Sequence, residues 1–293
     1  MKKMILGTAQ LGLRYGIQNC TGKPSVEEAE DILNHAFKNG IRCLDTANAY
    51  GDSEEVIGRY INKERNLFEI CTKLPVEVKG TDISDCYEKS KSLLSVDLFH
   101  VYYLHRFEQC KQSGILRQLM LLREKGLIRN IGISIYEPEE LEYISENLSS
   151  VVDVVQIPFH MLNGARWIYK DLLSKAREKG LRIYARSIFL QGMLLADADS
   201  SICKKKKLSS HLRELNTLAK ELGYHIAQLA VNYICSVEEI DRFLVGCETL
   251  GQLQQNISLY RGSEKLAEEI CGKIQQISRS IEISSIDPRK WSD

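Results

Sequence analysis

The sequence predicts an α/β fold, a closed (β/α)8 TIM barrel with extra helices and a long loop after strand seven. Three observations predict it. Eight short β-branched or apolar runs alternate with segments of helical period along the chain, the pattern of parallel strands joined by helical crossovers. No Pro- or Ser-rich linker and no break in composition divides the 293 residues, so one barrel domain over residues 1–293 fits better than two doubly wound halves. No G-x-G-x-x-G follows the first strand, where a dinucleotide-binding βαβ domain carries it, and "LGTAQLG" lacks that spacing.

Taken in order, "KMILGTA" is the first strand. The helix "SVEEAEDILNHAFKNG" follows, with Ser25 as N-cap, Glu28 completing a capping box and Gly40 ending the last turn. "IRCLDTA", "FEICTKL" and "LFHVYYLH" are strands two to four, and the helix "ILRQLMLLREKG" stops at Gly126. "RNIGIS" and "VDVVQIP" are strands five and six; the helix "WIYKDLLSKAREKG" runs to Gly180 and "LRIYARS" is strand seven. The stretch from Leu190 to Lys207, ending in four lysines, reads as a long mobile loop. Helices in "LSSHLRELNTLAKELG" and "HIAQLAVNYICS" precede strand eight, "DRFLVGC", and a last helix begins near Glu264.

Composition narrows the function classes. Lys and Arg balance Asp and Glu, 39 against 39, so no polyanion-binding surface is expected and nucleic acid is excluded as first partner in favour of a small molecule. The nine cysteines are odd in number, scattered and never in a C-x-x-C pair, which argues for reduced thiols in the cytoplasm over a disulfide framework or a zinc site. Gly7, Thr8 and Gln10 interrupt the apolar N-terminal stretch before a signal or membrane segment is complete, so neither a membrane partner nor an exported protein is expected.

In a barrel of this kind the chemistry sits where the strands end on the C-terminal face. Strand two ends on Asp45, strand three on Lys73 and strand four on His105, with Tyr50 in the loop after strand two. A buried aspartate or lysine needs a partner, and in neighbouring strands these two can partner each other. An ammonium beside Tyr50 favours its phenolate, an aspartate holds that ammonium charged, and His105 offers a donor to a carbonyl oxygen. No nucleophile is evident and no His/Asp/Glu cluster has metal-ligand spacing, so no metal is expected and a metal-dependent hydrolase is disfavoured. What is missing is a hydride, which a cofactor must bring.

The motifs "LDTANAYG", "TKLP" and "VYYLHRF", in that order, resemble the aldo-keto reductases, and the resemblance runs from "LGTAQLG" to "QLQQN". It implies a catalytic tetrad of Asp45, Tyr50, Lys73 and His105, with Tyr50 as general acid in carbonyl reduction. It also implies a site for NADPH or NADH. Ser134 and Gln156 would hold the nicotinamide carboxamide, although Ile135 stands where the family has Asn. Ser187 and Phe189 would contact the pyrophosphate. Arg186 replaces the stacking tyrosine, and a guanidinium plane can stack on a ring as tyrosine does. In "VGCETLGQLQQN", Gly246, Gln252 and Asn256 match the family's adenosine grip and Gln255 stands for its Glu. Glu248 falls where a basic residue commonly meets the 2'-phosphate, which favours NADH unless Lys204 to Lys207 supply the charge.

The substrate implied is an aldehyde, ketone or sugar carbonyl, with reduction and aldose oxidation both open. The alternative on the same fold is a non-catalytic NAD(P)H-binding regulatory or sensor protein. Tyr15, Arg106, Phe107, Phe159 and the tail "SSIDPRKWSD", including Trp291, are expected to shape the substrate pocket. Nothing in the sequence speaks to oligomeric state.

Overall fold

The computed structural model describes residues 3–65, 68–79 and 82–291. Each of the eight apolar runs forms a strand: β1 Met4–Gly7, β2 Cys43–Asp45, β3 Glu69–Lys73, β4 Phe99–Leu104, β5 Ile128–Ser134, β6 Val154–Pro158, β7 Arg182–Arg186 and β8 Ile240–Gly246. All pair in parallel in chain order, and β8 returns to β1 to close the barrel.

The interior is a packed plug of Ile5, Cys43, Cys71, Val101, Tyr103, Val154, Tyr184 and Leu244. Side chains alternate along a strand, so the residue two positions on is the next inward one. Above Cys43 comes Asp45, above Cys71 Lys73, above Tyr103 His105, above Val154 Gln156, above Tyr184 Arg186 and above Leu244 Gly246. The strand that ends on a carboxylate thus follows a simple rule: its last inward position leaves the apolar plug and faces the cavity. Gly132 makes room for the plug, because a Cβ there would lie 2.3 Å from the Tyr103 ring.

The helices form the outer layer. In Val26–Lys38 the buried residues Ala29, Ile32, Leu33 and Ala36 follow helical spacing, and the Ser25–Glu28 capping box is present. Glycines end three helices in the left-handed region, Gly40 at φ +85°, Gly126 at +71° and Gly180 at +86°.

Two sequence expectations need correction. The helix ending at Gly180 is broken: Gly164–Ile168 and Leu172–Glu178 are separated by left-handed Lys170 and Asp171. Trp167 and Leu173 would lie about 120° apart on one continuous helix, and the break lets both be buried. The connection after β7 is not a structureless loop. It holds a 3-10 segment, Leu190–Leu195, and a short helix, Ser201–Lys205, pinned by buried Leu190, Met193, Leu194 and Cys203. Among the described residues no helix is long and apolar enough to cross a membrane.

Candidate active site

The ends of β2 and β3 bring Asp45 and Lys73 together in a buried ion pair, with side chains 3% and 2% exposed. Lys73 Nζ donates to Asp45 Oδ1 and, at 2.9 Å, to the Thr46 carbonyl. Gln156 Nε2 donates to the other Asp45 oxygen at 2.8 Å, so both oxygens are engaged. Burial drags the Lys73 ammonium down, but Asp45 and then Tyr50 outweigh it and the net shift is upward. The lysine therefore stays charged.

Tyr50 hangs over this pair. Lys73 Nζ lies 5.0 Å from its ring centroid, and the His105 ring stands edge-on to it at 6.3 Å and 85°. Burial, then the charges of Lys73 and Arg186, push His105 down to about 4, so the imidazole is neutral at pH 7. A second phenol, Tyr15, is pushed up to about 12, by burial first, and accepts from Gln191 Nε2 at 3.1 Å.

The loop that carries Tyr50 owes its path to two glycines. A Cβ on Gly12 would lie 1.8 Å from the Tyr50 carbonyl oxygen, and one on Gly51, at φ +58°, 2.3 Å from the Gly12 oxygen. The glycine after Tyr50 is thus required twice, by the turn and by the close approach of backbone.

These side chains open into a cavity of about 500 Å³. Asp45, Tyr50, Lys73, His105, Ser134, Gln156, Arg186, Ser187, Phe189, Gly246, Glu248, Gln252, Gln255 and Asn256 all line it, as does Tyr15. Sequence reasoning missed Gln10, Gln18, Tyr136, Gln191, Gly192 and Leu195. Tyr136 was reachable, being the next inward position after Ser134. Gln10 was reachable only through the fold: it packs against Gly246, where a Cβ would sit 2.6 Å from its Oε1.

Arg186 is turned into the cavity. Its Nη2 donates to the Ile135 carbonyl at 3.2 Å and its guanidinium lies 4.1 Å from the Tyr136 ring centroid. Glu248 stands at the rim, where its Oε2 accepts from the Thr21 hydroxyl at 3.1 Å and its backbone N–H donates to Gln252 Oε1 at 2.7 Å.

Several expected pocket residues lie elsewhere. Phe159 is fully buried and stacked on Tyr233 at 5.8 Å, and Phe107 packs edge-on against Tyr143 at 5.5 Å. Arg106 does not line the cavity either. Trp291 donates to the Ser284 carbonyl at 3.2 Å beneath Lys206, and Lys207 pairs with Glu282. Two of the four lysines, Lys206 and Lys207, thus engage the C-terminal tail. Ile286, Asp287 and Pro288 of that tail, with Ile283 just before it, line a small neighbouring cavity with Tyr136 and Arg186, and the tail's last two residues lie outside the described residues.

The residues fit a nicotinamide nucleotide. Gln156 Oε1 is buried without a donor in a residue that lines the cavity, and so offers an acceptor to a carboxamide N–H. Among the described residues no group of His, Cys, Asp or Glu is placed to hold a metal.

The model of the aldo/keto reductase family matches residues 3–279. The chain belongs to the aldo/keto reductase family. Within it, the chain is 32% identical over 161 residues to D-arabinose 1-dehydrogenase of Saccharomyces cerevisiae, covering 50% of this chain and 47% of that one. It thus spans about half the length of that relative. It is 24% identical over 295 residues to L-glyceraldehyde 3-phosphate reductase of Escherichia coli O157:H7, covering 87% and 85%. In fold it is similar to an aldo-keto reductase from Bacillus halodurans in its holo form, with a TM-score of 0.77, 17% identity and coverage of 99% and 95%. As an aldo/keto reductase it departs from the motif at Ile135, whose side chain is fully buried and whose backbone N–H donates to the Gln156 carbonyl at 2.9 Å. That side chain is spent on packing.

Proposed function

We propose that the protein moves a hydride between NADH or NADPH and the carbonyl of a small aldehyde, ketone or sugar, with Tyr50 as general acid in reduction and general base in oxidation. The observation that carries this reading is the convergence of the buried Asp45–Lys73 pair and a neutral His105 on Tyr50 at the cavity floor.

A bound nicotinamide would supply the hydride. The remaining work falls to the chain. Ser134 and Gln156 hold the carboxamide end, Ser187 and Phe189 the pyrophosphate, and Gly246, Gln252, Gln255 and Asn256 the adenosine. Tyr50 passes its proton to the substrate oxygen, with the Lys73 ammonium, kept charged by Asp45, beside its ring. His105, neutral, donates a hydrogen bond that orients the same oxygen. The plug of apolar side chains beneath the site keeps water from approaching through the barrel.

Tyr50→Phe tests the assignment. Turnover of a carbonyl panel, followed by absorbance of the reduced cofactor, should fall by a factor of about 100 or more, while nucleotide affinity stays near wild type. Unchanged turnover removes Tyr50 from the reaction. Nucleotide binding by the wild type without turnover of any carbonyl or sugar would favour a regulatory module over an enzyme.

A further inference from the structure

Four charged side chains line the cavity: Asp45, Lys73, Arg186 and Glu248. The first two neutralise each other. Glu248 is engaged at the rim by Thr21. Arg186 has only neutral partners, the Ile135 carbonyl and the Tyr136 ring, and among the described residues no carboxylate pairs with it. Its stacking partner is fixed from the tail, since the Arg289 guanidinium also lies over the Tyr136 ring, 3.7 Å from the centroid. That second charge is balanced, because Arg289 pairs with Asp287 at 2.7 Å and with Glu137 at 2.8 Å. The inner cavity therefore carries one uncompensated positive charge on an anchored side chain.

The register of β6 and β7 sets Pro158 beside Arg186 and Gln156 beside Tyr184, so Arg186 stands one inward step above Gln156 on the adjacent strand. A group held at the free Gln156 oxygen lies next to that charge. Resting on the cofactor reading above, we infer that Arg186 makes the site select the reduced, uncharged form of the nicotinamide cofactor over the oxidised, cationic form. The selection acts on loading and release. From a pool that holds both forms, the site fills with the reduced one and lets the oxidised one go, which poises the protein for carbonyl reduction. The same charge opposes the positive charge that develops in the reductive step itself, so the gain lies in cofactor exchange and not in the hydride transfer.

The experiment is binding without turnover. Dissociation constants of NADH, NAD+, NADPH and NADP+ are measured by calorimetry on the full chain as wild type, Arg186→Met and Arg186→Lys. The oxidised form should bind the wild type about tenfold or more weakly than the reduced form within each pair, the scale of one like charge at close range. Arg186→Met should bring that ratio to about one, and Arg186→Lys, which keeps the charge, should preserve most of it. An unchanged ratio in a folded Arg186→Met overturns the inference. Should that variant fail to fold, a wild-type ratio at or below one overturns it on its own. Binding of neither form to the wild type overturns the cofactor reading and the inference with it, and is told apart from the other outcomes by the absence of any signal.

Discussion

At the scale of single residues, the site is governed by which charges are balanced. The Lys73–Asp45 pair is buried and fully hydrogen-bonded, the condition under which charges survive out of water. Glu248 is the opposite case, a carboxylate at the rim with a neutral threonine for partner. A 2'-phosphate brings close to two negative charges to such a rim, while ribose hydroxyls can donate to the same carboxylate. Lys206 and Lys207 are engaged by the tail, and among the described residues no lysine of that run pairs with Glu248. The protein should prefer NADH, and Glu248→Arg should move kcat/KM toward NADPH by about 1 to 2 kcal/mol, roughly five- to thirtyfold. Parallel titrations of both proteins with both cofactors measure it, and a strong wild-type preference for NADPH would contradict the role given to Glu248.

At the scale of elements, the position of Tyr50 depends on a contact between two backbones. The short helix Ala9–Gly12 packs so closely on the turn from Tyr50 to Ser53 that a methyl group at Gly12 would also meet the Ser53 nitrogen at 2.6 Å. Backbone cannot yield as a flexible side chain can, so Gly12→Ala must displace the Tyr50 turn or the short helix packed on it. The expected cost is about 1 to 3 kcal/mol of stability or more, together with a loss of turnover. Gly272→Ala is the contrast, since a Cβ there meets nothing and lies within the helix Glu268–Ser278. It should leave turnover unchanged and stabilise by about 0.5 to 1 kcal/mol. Thermal melts and initial rates on the two variants decide it; equal behaviour would show that the Gly12 contact does not position Tyr50.

At the scale of the whole molecule, three histidines are held neutral by burial: His100 and His105 down at about 4 and His160 at about 3. Each sits below the ordinary histidine value, so between about 6.5 and 4 the unfolded chain binds protons that the folded chain refuses. Stability should therefore fall as the pH drops through that window, by up to about 1.4 kcal/mol per pH unit for each histidine. Urea unfolding at steps from pH 7 to 4.5 checks this, and a midpoint that holds steady would contradict it. His160 also shows where sequence reasoning stops. Nothing in "IPFHMLN" marks it as buried beside Arg186. The barrel itself was legible, because strand and helix periods, caps and glycine stops are local physics written in consecutive residues. Asp45, Lys73 and His105 were legible for the same reason, as polar residues closing apolar strands. The departure of Phe159 and Trp291 from the cavity and the tie of Lys206 and Lys207 to the tail were decided by tertiary structure alone. Each depends on a partner distant in the sequence, Tyr233 for Phe159 and Glu282 for Lys207, which is brought within reach only when the barrel closes.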